Sequence, residues 1–140
     1  MRLSQATDYA FRAVLHLSSL PRGQVVEAKT IAEAQQIPMR FLLKILRLLT
    51  RAGLTESYQG INGGYALARP PEEITMLDVI EAVEGPIKVN RCLIAPEECS
   101  RRAAPHCPVH QTLASIQQAI AAEFKRRNFA DLCTGLRRMQ

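Results

Sequence analysis

Apolar residues in the first third of the chain recur at the spacing of helices that bury one face. Ala6, Tyr9, Ala10, Ala13, Val14 and Leu17 lie along one such face, which predicts a helix over residues 4–19, ended by Pro21 to Gly23. A second, shorter helix is predicted over 28–35. The Ile37-Pro38 break then opens a third, since proline is tolerated in a first turn, and this helix runs to 50 or 51 before Gly53 closes it. Two short helices with a tight connection suggest a helix-turn-helix. In the third helix Arg40, Lys44, Arg47 and Arg51 fall at i, i+4, i+7 and i+11, one basic stripe, with Phe41, Ile45, Leu48 and Leu49 expected to cover the opposite side.

Behind Gly53 the pattern changes to two short strands, residues 54–58 and 65–68, around the tip Gln59-Gly60-Ile61-Asn62-Gly63-Gly64. A β-hairpin directly behind a basic third helix is the wing of a winged helix, placed to reach a neighbouring groove or the backbone of a duplex. Past Pro70-Pro71, Thr75 and Asp78 have capping-box spacing for a helix through Leu77, Ile80 and Val83, stopped by Gly85-Pro86. Residues 90–110 are expected to be irregular, with Pro96, Pro105 and Pro108 as breakers. The chain then returns to helix over 109–127, with Val109, Leu113, Ile116, Ile120 and Phe124 as an apolar stripe, followed by a terminal helix that places Cys133 among Phe129, Leu132 and Leu136. A long stripe beside a small domain either docks within its own chain or packs against its copy in a second subunit. The second arrangement is an isologous dimer that sets two recognition helices on a palindromic site.

The expected architecture is mainly α with a small β-hairpin wing: a winged helix-turn-helix plus a long C-terminal dimerisation helix. It divides into a DNA-binding region (1–71), a connecting helix (72–89), a cysteine-rich loop (90–108) and dimerisation and docking helices (109–140), all within one compact domain. The 140 residues, 47% of them hydrophobic, suffice for such a core.

Charge sharpens the functional reading. Residues 1–53 carry eight Lys or Arg against three acids, residues 54–100 three against eight, and residues 101–140 seven against two. A basic N-terminal third suits a polyanion, because each phosphate contact releases condensed counterions. No run approaches the roughly 18 apolar residues of a membrane span, and no signal-peptide pattern opens the chain, so a cytoplasmic protein is expected. Gly63-Gly64 does not make a phosphate loop, since the strand-loop-helix order with a following Lys-Ser/Thr is missing.

In a reducing compartment the four cysteines point to metal ligation, redox sensing or burial. Cys92, Cys99 and Cys107 share the irregular segment with His106 and His110, a donor set that suits a soft metal or an iron-sulfur cluster. Six and seven residues separate the thiols, which is not the CxxC pairing of common zinc modules. Cys107 with His110 could make a nucleophile and base, but no oxyanion turn accompanies them, and no enzyme is expected. His16 reads as a half-buried structural residue, Cys133 as a small buried hydrophobe, His106 as exposed loop, and Asp8 either as a first-turn acid favoured by the helix dipole or as a ligand.

Four stretches carry a specific resemblance: MRLSQATDYAFRAVLHL, the IAEAQQIPMRFLLKIL helix pair, AGL leading to GGYALARP, and ITMLDVIEAVEGP followed by NRCL. In this order they make the chain similar to the Rrf2 family of winged-helix transcription regulators, over about two-thirds of its length. The resemblance is to the iron-sulfur branch of IscR- and NsrR-like proteins, whose clusters sense iron-sulfur status, redox state or nitric oxide. With the basic stripe, the hairpin and the long apolar helix it gives an expected homodimer on palindromic double-stranded DNA, docked through Arg40, Lys44, Arg47, Arg51 and a wing that includes Gln59, Gly63 and Gly64. It also implies a 2Fe–2S or 4Fe–4S cluster held by Cys92, Cys99 and Cys107, with His110 or the partner-facing Asp8 as fourth ligand. The alternative within the family is a cluster-free, CymR-like regulator that uses a thiol or zinc site and works mainly through a partner protein. The chain departs from the family pattern at Gln59, where a wing-tip Arg is common, at Leu43, where a polar residue is frequent, and in its longer cysteine gaps.

Overall fold

The computed structural model describes residues 2–104 and 106–139 of the chain. Helix α1 (Gln5–Ser18) begins where the Ser4 hydroxyl accepts the Thr7 N–H, one of the donors that a helix start leaves unpaired. Helix α2 (Ala28–Gln35) closes at Gln36 in the left-handed conformation, φ 53°, and buried Ile37 and exposed Pro38 lead straight into α3 (Met39–Arg51). Gly53, at φ 78°, turns the chain out of α3 into the hairpin.

Strands β1 (Thr55–Tyr58) and β2 (Gly64–Leu67) pair antiparallel, with Thr55 opposite Leu67 and Tyr58 opposite Gly64. Val26, just ahead of α2, adds a third rung: its N–H donates to Tyr65 O and its carbonyl accepts from Tyr65 N, both at 2.8 Å. The wing is therefore fastened to the helix-turn-helix at its inner end and is free at its tip.

Helix α4 (Met76–Glu84) opens on the expected capping box, in which the Thr75 side chain accepts the Asp78 N–H and the Asp78 carboxylate accepts the Thr75 N–H. At its other end Glu84 accepts from Ser4 N at 3.2 Å and from the Thr7 hydroxyl at 2.8 Å, tying α4 to the start of α1. One core joins these pieces, with Val14, Ile31, Leu46, Leu49, Val79 and Phe129 among its fully enclosed members.

The segment expected to be irregular holds more structure than its prolines suggest. A single helical turn, α5 (Arg91–Ile94), precedes a 3-10 turn at Pro96–Glu98, and Pro108 opens helix α6 (Pro108–Arg126) instead of breaking the chain. Both prolines sit in first turns, where the absent N–H costs no hydrogen bond. Pro105, the third expected breaker, lies outside the described residues. Although α6 is nineteen residues long, it has no buried residue; it touches α4 and α5 and leaves Val109 64% and Ile116 46% exposed. Helix α7 (Phe129–Met139) folds back on α1, and Cys133 is buried there as the sequence suggests, its thiol pushed up by that burial. No helix among the described residues is long and apolar enough to cross a membrane.

Candidate nucleic-acid interface and cysteine segment

The face that α3 buries runs along Leu42, Ile45, Leu46 and Leu49, against α1, α2 and α4. Ile45 and Leu49 are where periodicity puts them, whereas Phe41 and Leu48 are not the core pair expected from the sequence. Phe41 is 44% exposed and lies on the flank of α3, its ring 6.4 Å from that of Tyr9 on α1. The reason is rotation of the helix about its axis: a face centred between residues 42 and 49 turns residues 41 and 48 to one side.

With that face buried, Arg40, Lys44, Arg47 and Arg51 fall together on the far side of the helix, and all four are exposed. The Arg40 guanidinium lies over the Phe41 ring at 4.8 Å, and Arg12 lies over Tyr9 at 5.3 Å, so two aromatic rings hold a cation at each end of the α1–α3 flank. Among the described residues Lys44, Arg47 and Arg51 make no ion pair, which leaves their charge for an external anion. Met39 and Leu43 share the exposed surface of this helix, 40% and 41% accessible, a feature that periodicity alone did not single out.

At the wing the two glycines have a steric role. A Cβ on Gly63 would stand 2.3 Å from Tyr58 O, and one on Gly64 would stand 2.3 Å from Val26 O, both backbone atoms that cannot rotate aside. The pair closes the hairpin and seats it on residue 26. The exposed tip is Gln59, Gly60, Ile61 and Asn62, with Ile61 96% exposed.

Cys92, Cys99 and Cys107 are half-buried free thiols on different short elements. Cys92 lies in α5, where its sulfur accepts from Asn90 Nδ2 at 3.3 Å; Cys99 follows the 3-10 turn; Cys107 is the N-cap of α6. Backbone N–H groups of Ala103 and Arg101 hydrogen-bond Cys99 and hold its thiol below the usual range. His110, in the first turn of α6, has a buried Nδ1 with no hydrogen-bond partner among the described residues. Asp8, by contrast, is paired with Arg12 at 2.7 Å. Among the described residues no three His, Cys, Asp or Glu side chains stand close enough together to hold a metal ion. The donor chemistry therefore suits a soft metal centre, while in this conformation the donors remain ungathered. His106 is exposed, and His16 is half-buried beside Gln35 Nε2 at 3.3 Å, with its imidazole lowered by burial.

Over residues 3–135 the sequence matches the family described as Rrf2, iron-dependent transcriptional regulator. A protein of Aquifex aeolicus (strain VF5), provisionally named an HTH-type transcriptional regulator, is 34% identical over 132 residues, which are 94% of this chain and 91% of that protein. Two solved structures share the fold. IscR of T. potens superposes with a TM-score of 0.78 at 24% identity, covering 100% of this chain and 91% of its own. CymR, the global cysteine regulator of B. subtilis, superposes with a TM-score of 0.72 at 23% identity, covering 96% and 97%.

Proposed function

The chain belongs to the Rrf2 family and is a winged-helix, DNA-binding transcription regulator, not an enzyme; on that premise we propose that it acts as a homodimer on palindromic double-stranded DNA, controlled by an iron-sulfur cluster held by Cys92, Cys99 and Cys107. The observation that carries the DNA-binding part is the unpaired basic ridge of α3, directly opposite its buried face. Arg40, Lys44, Arg47 and Arg51 dock phosphates and base edges there, and the wing tip at Gln59 reaches the adjacent groove while Gly63 and Gly64 shape its approach.

The exposure of α6 supports dimerisation. A nineteen-residue helix with no buried position and with Val109 and Ile116 in solvent has its apolar stripe covered when a second copy packs against it. Two-fold symmetry then presents two α3 helices to successive half-sites.

Removing phosphate contacts should change the salt dependence of binding. Lys44→Ala and Arg47→Ala are each expected to weaken binding to a selected duplex and to lower the slope of log K against log salt by about one. Titrations at several salt concentrations measure both quantities. Unchanged affinity and slope in both variants would remove α3 from the DNA.

Cluster binding is supported by the donor set within one segment, three thiols and an imidazole whose buried Nδ1 has no partner among the described residues. When bound, a cluster supplies a centre that reacts to iron supply, oxidants or nitric oxide. The chain's own part is connection: Cys107 caps α6, Val89 N–H donates to Gln117 of α6 at 3.0 Å, and Glu84 holds the start of α1. A change at the cysteines thus bears on both the dimer helix and the DNA-binding region.

In an anaerobic preparation, Ala at Cys92, Cys99 or Cys107 is expected to abolish stable cluster assembly. Of the two fourth-ligand candidates, His110→Ala should perturb the visible spectrum more than Asp8→Ala, because the His110 Nδ1 has no partner among the described residues and the Asp8 carboxylate is already paired. Full iron and sulfide content in all three cysteine variants would refute the site. A colourless protein would favour a second reading, a cluster-free thiol or zinc site working through a partner protein, for which the lowered Cys99 thiol speaks.

A further inference from the structure

We infer that Leu43, with Met39 beside it, reads thymine through its C5-methyl group, making this pair a sequence-specifying apolar contact along one edge of a basic recognition surface. The inference rests on α3 lying in the major groove and adds what that helix selects there.

Met39, Leu43 and Arg47 occupy one i, i+4 row of α3, and Arg40 and Lys44 form the neighbouring row. The core takes neither apolar residue: Met39 is 40% exposed and Leu43 41%, while Leu42 and Leu46 on the buried face are sealed. Nor do they join the aromatic flank, since Phe41 turns to the other side of the helix and packs on Tyr9. Two adjoining aliphatic side chains thus stand exposed, bordered on the ridge side by Arg40 and Arg47.

That border identifies the occupant. A protein partner would bury Arg40 and Arg47, neither ion-paired among the described residues, beside a patch of only two apolar side chains, far short of the roughly 800 Å² per partner of a stable interface. In a major groove the cations meet phosphates and guanine edges. The one apolar group that a base edge offers there is the thymine methyl. Leucine has no hydrogen-bonding group and methionine only a weakly accepting thioether, so the pair discriminates chiefly by methyl contact and by excluding water from it. Long unbranched Met39 adapts to either neighbour of the contacted step, and γ-branched Leu43, with Arg40 at i−3 and Arg47 at i+4, makes the fixed contact.

The test begins with selection of duplexes from a randomised double-stranded library by the full-length protein. Each thymine of the selected duplex is then exchanged for deoxyuridine, which pairs identically and lacks only the methyl. At one or two symmetric positions per half-site the exchange is expected to weaken binding by about threefold to fivefold per methyl lost. Leu43→Ala should bind thymine and uracil duplexes alike while keeping the wild-type salt slope, and selection with this variant should lose the thymine preference at those positions. A selected duplex that wild-type protein binds equally well in both forms would overturn the inference alone. So would a Leu43→Ala, Met39→Ala double variant that retains the discrimination. Failure to select any duplex would overturn the placement of α3 in DNA and the inference with it.

Discussion

Phe129→Ala is expected to lower the stability of the folded chain by about 3–5 kcal/mol, the range for emptying a fully enclosed aromatic site. Phe129 has no accessible surface, and its ring packs against that of Phe11 at a centroid distance of 6.3 Å. Its backbone N–H donates to Ile74 O at 3.0 Å, beside the Met76 N–H bond to Arg127 O at 2.8 Å. These two bonds return the α6–α7 corner to the chain entering α4, and the ring keeps it there. Without the ring, the first turn of α7 faces a cavity that Phe11, Leu15 and Met76 cannot fill without leaving their own contacts. Thermal unfolding should drop by roughly 10 °C or more for a chain of this size. Phe129→Leu, which keeps most of the apolar volume, should lose less than half as much. A Phe129→Ala protein melting within about 2 °C of wild type would mean that α7 is not docked on α1 in solution.

Gly64→Ala is expected to unseat the wing. The added carbon would lie 2.3 Å from Val26 O, 2.6 Å from Val26 C and 2.9 Å from Glu27 N, with the residue at φ 152°. All three are backbone atoms, so relief requires β2 to move away from residue 26 and both 2.8 Å bonds between Val26 and Tyr65 to break. Overpacking and the lost pair together cost about 2–4 kcal/mol. DNA affinity should fall about tenfold or more, since the wing can no longer hold its angle to α3. Gly60→Ala is the control: φ is 99° there, but no atom lies within 4 Å, so only the backbone preference is lost, about 1 kcal/mol. Amide exchange at Val26 and Tyr65 separates the two outcomes. Fast exchange in the Gly64 variant alone is expected; protected amides with unchanged DNA binding would show that the hairpin absorbs the methyl.

Helix identity and order were legible in the sequence because their determinants are local. Apolar spacing marks α1 and α3, the Ile37-Pro38 step separates α2 from α3 with residues 28–35 placed as observed, Gly53 ends α3, and the Thr75–Asp78 capping box starts α4. The hairpin was legible for the same reason, from two short strands around a glycine-rich tip. Together with the family's motifs, these elements were enough to specify a winged helix and its basic ridge.

Tertiary structure decided what depends on neighbours. Periodicity shows that α3 has an apolar side, yet a turn of one residue about the helix axis exchanges Leu42 and Leu46 for Phe41 and Leu48. Tyr9, on another helix, takes Phe41. That rotation also exposes Met39 and Leu43 among the arginines. Gly63 and Gly64 read as a flexible tip until Tyr58 and Val26 are in place against them, and then they are steric necessities. The Glu84 contact with Ser4 and Thr7 spans nearly eighty residues, so no local pattern carries it. The cysteines mark the limit from the other side: sequence placed three thiols and His110 in one segment, but gathering donors about a metal takes backbone geometry that the local pattern does not specify, and the fold leaves them on separate turns.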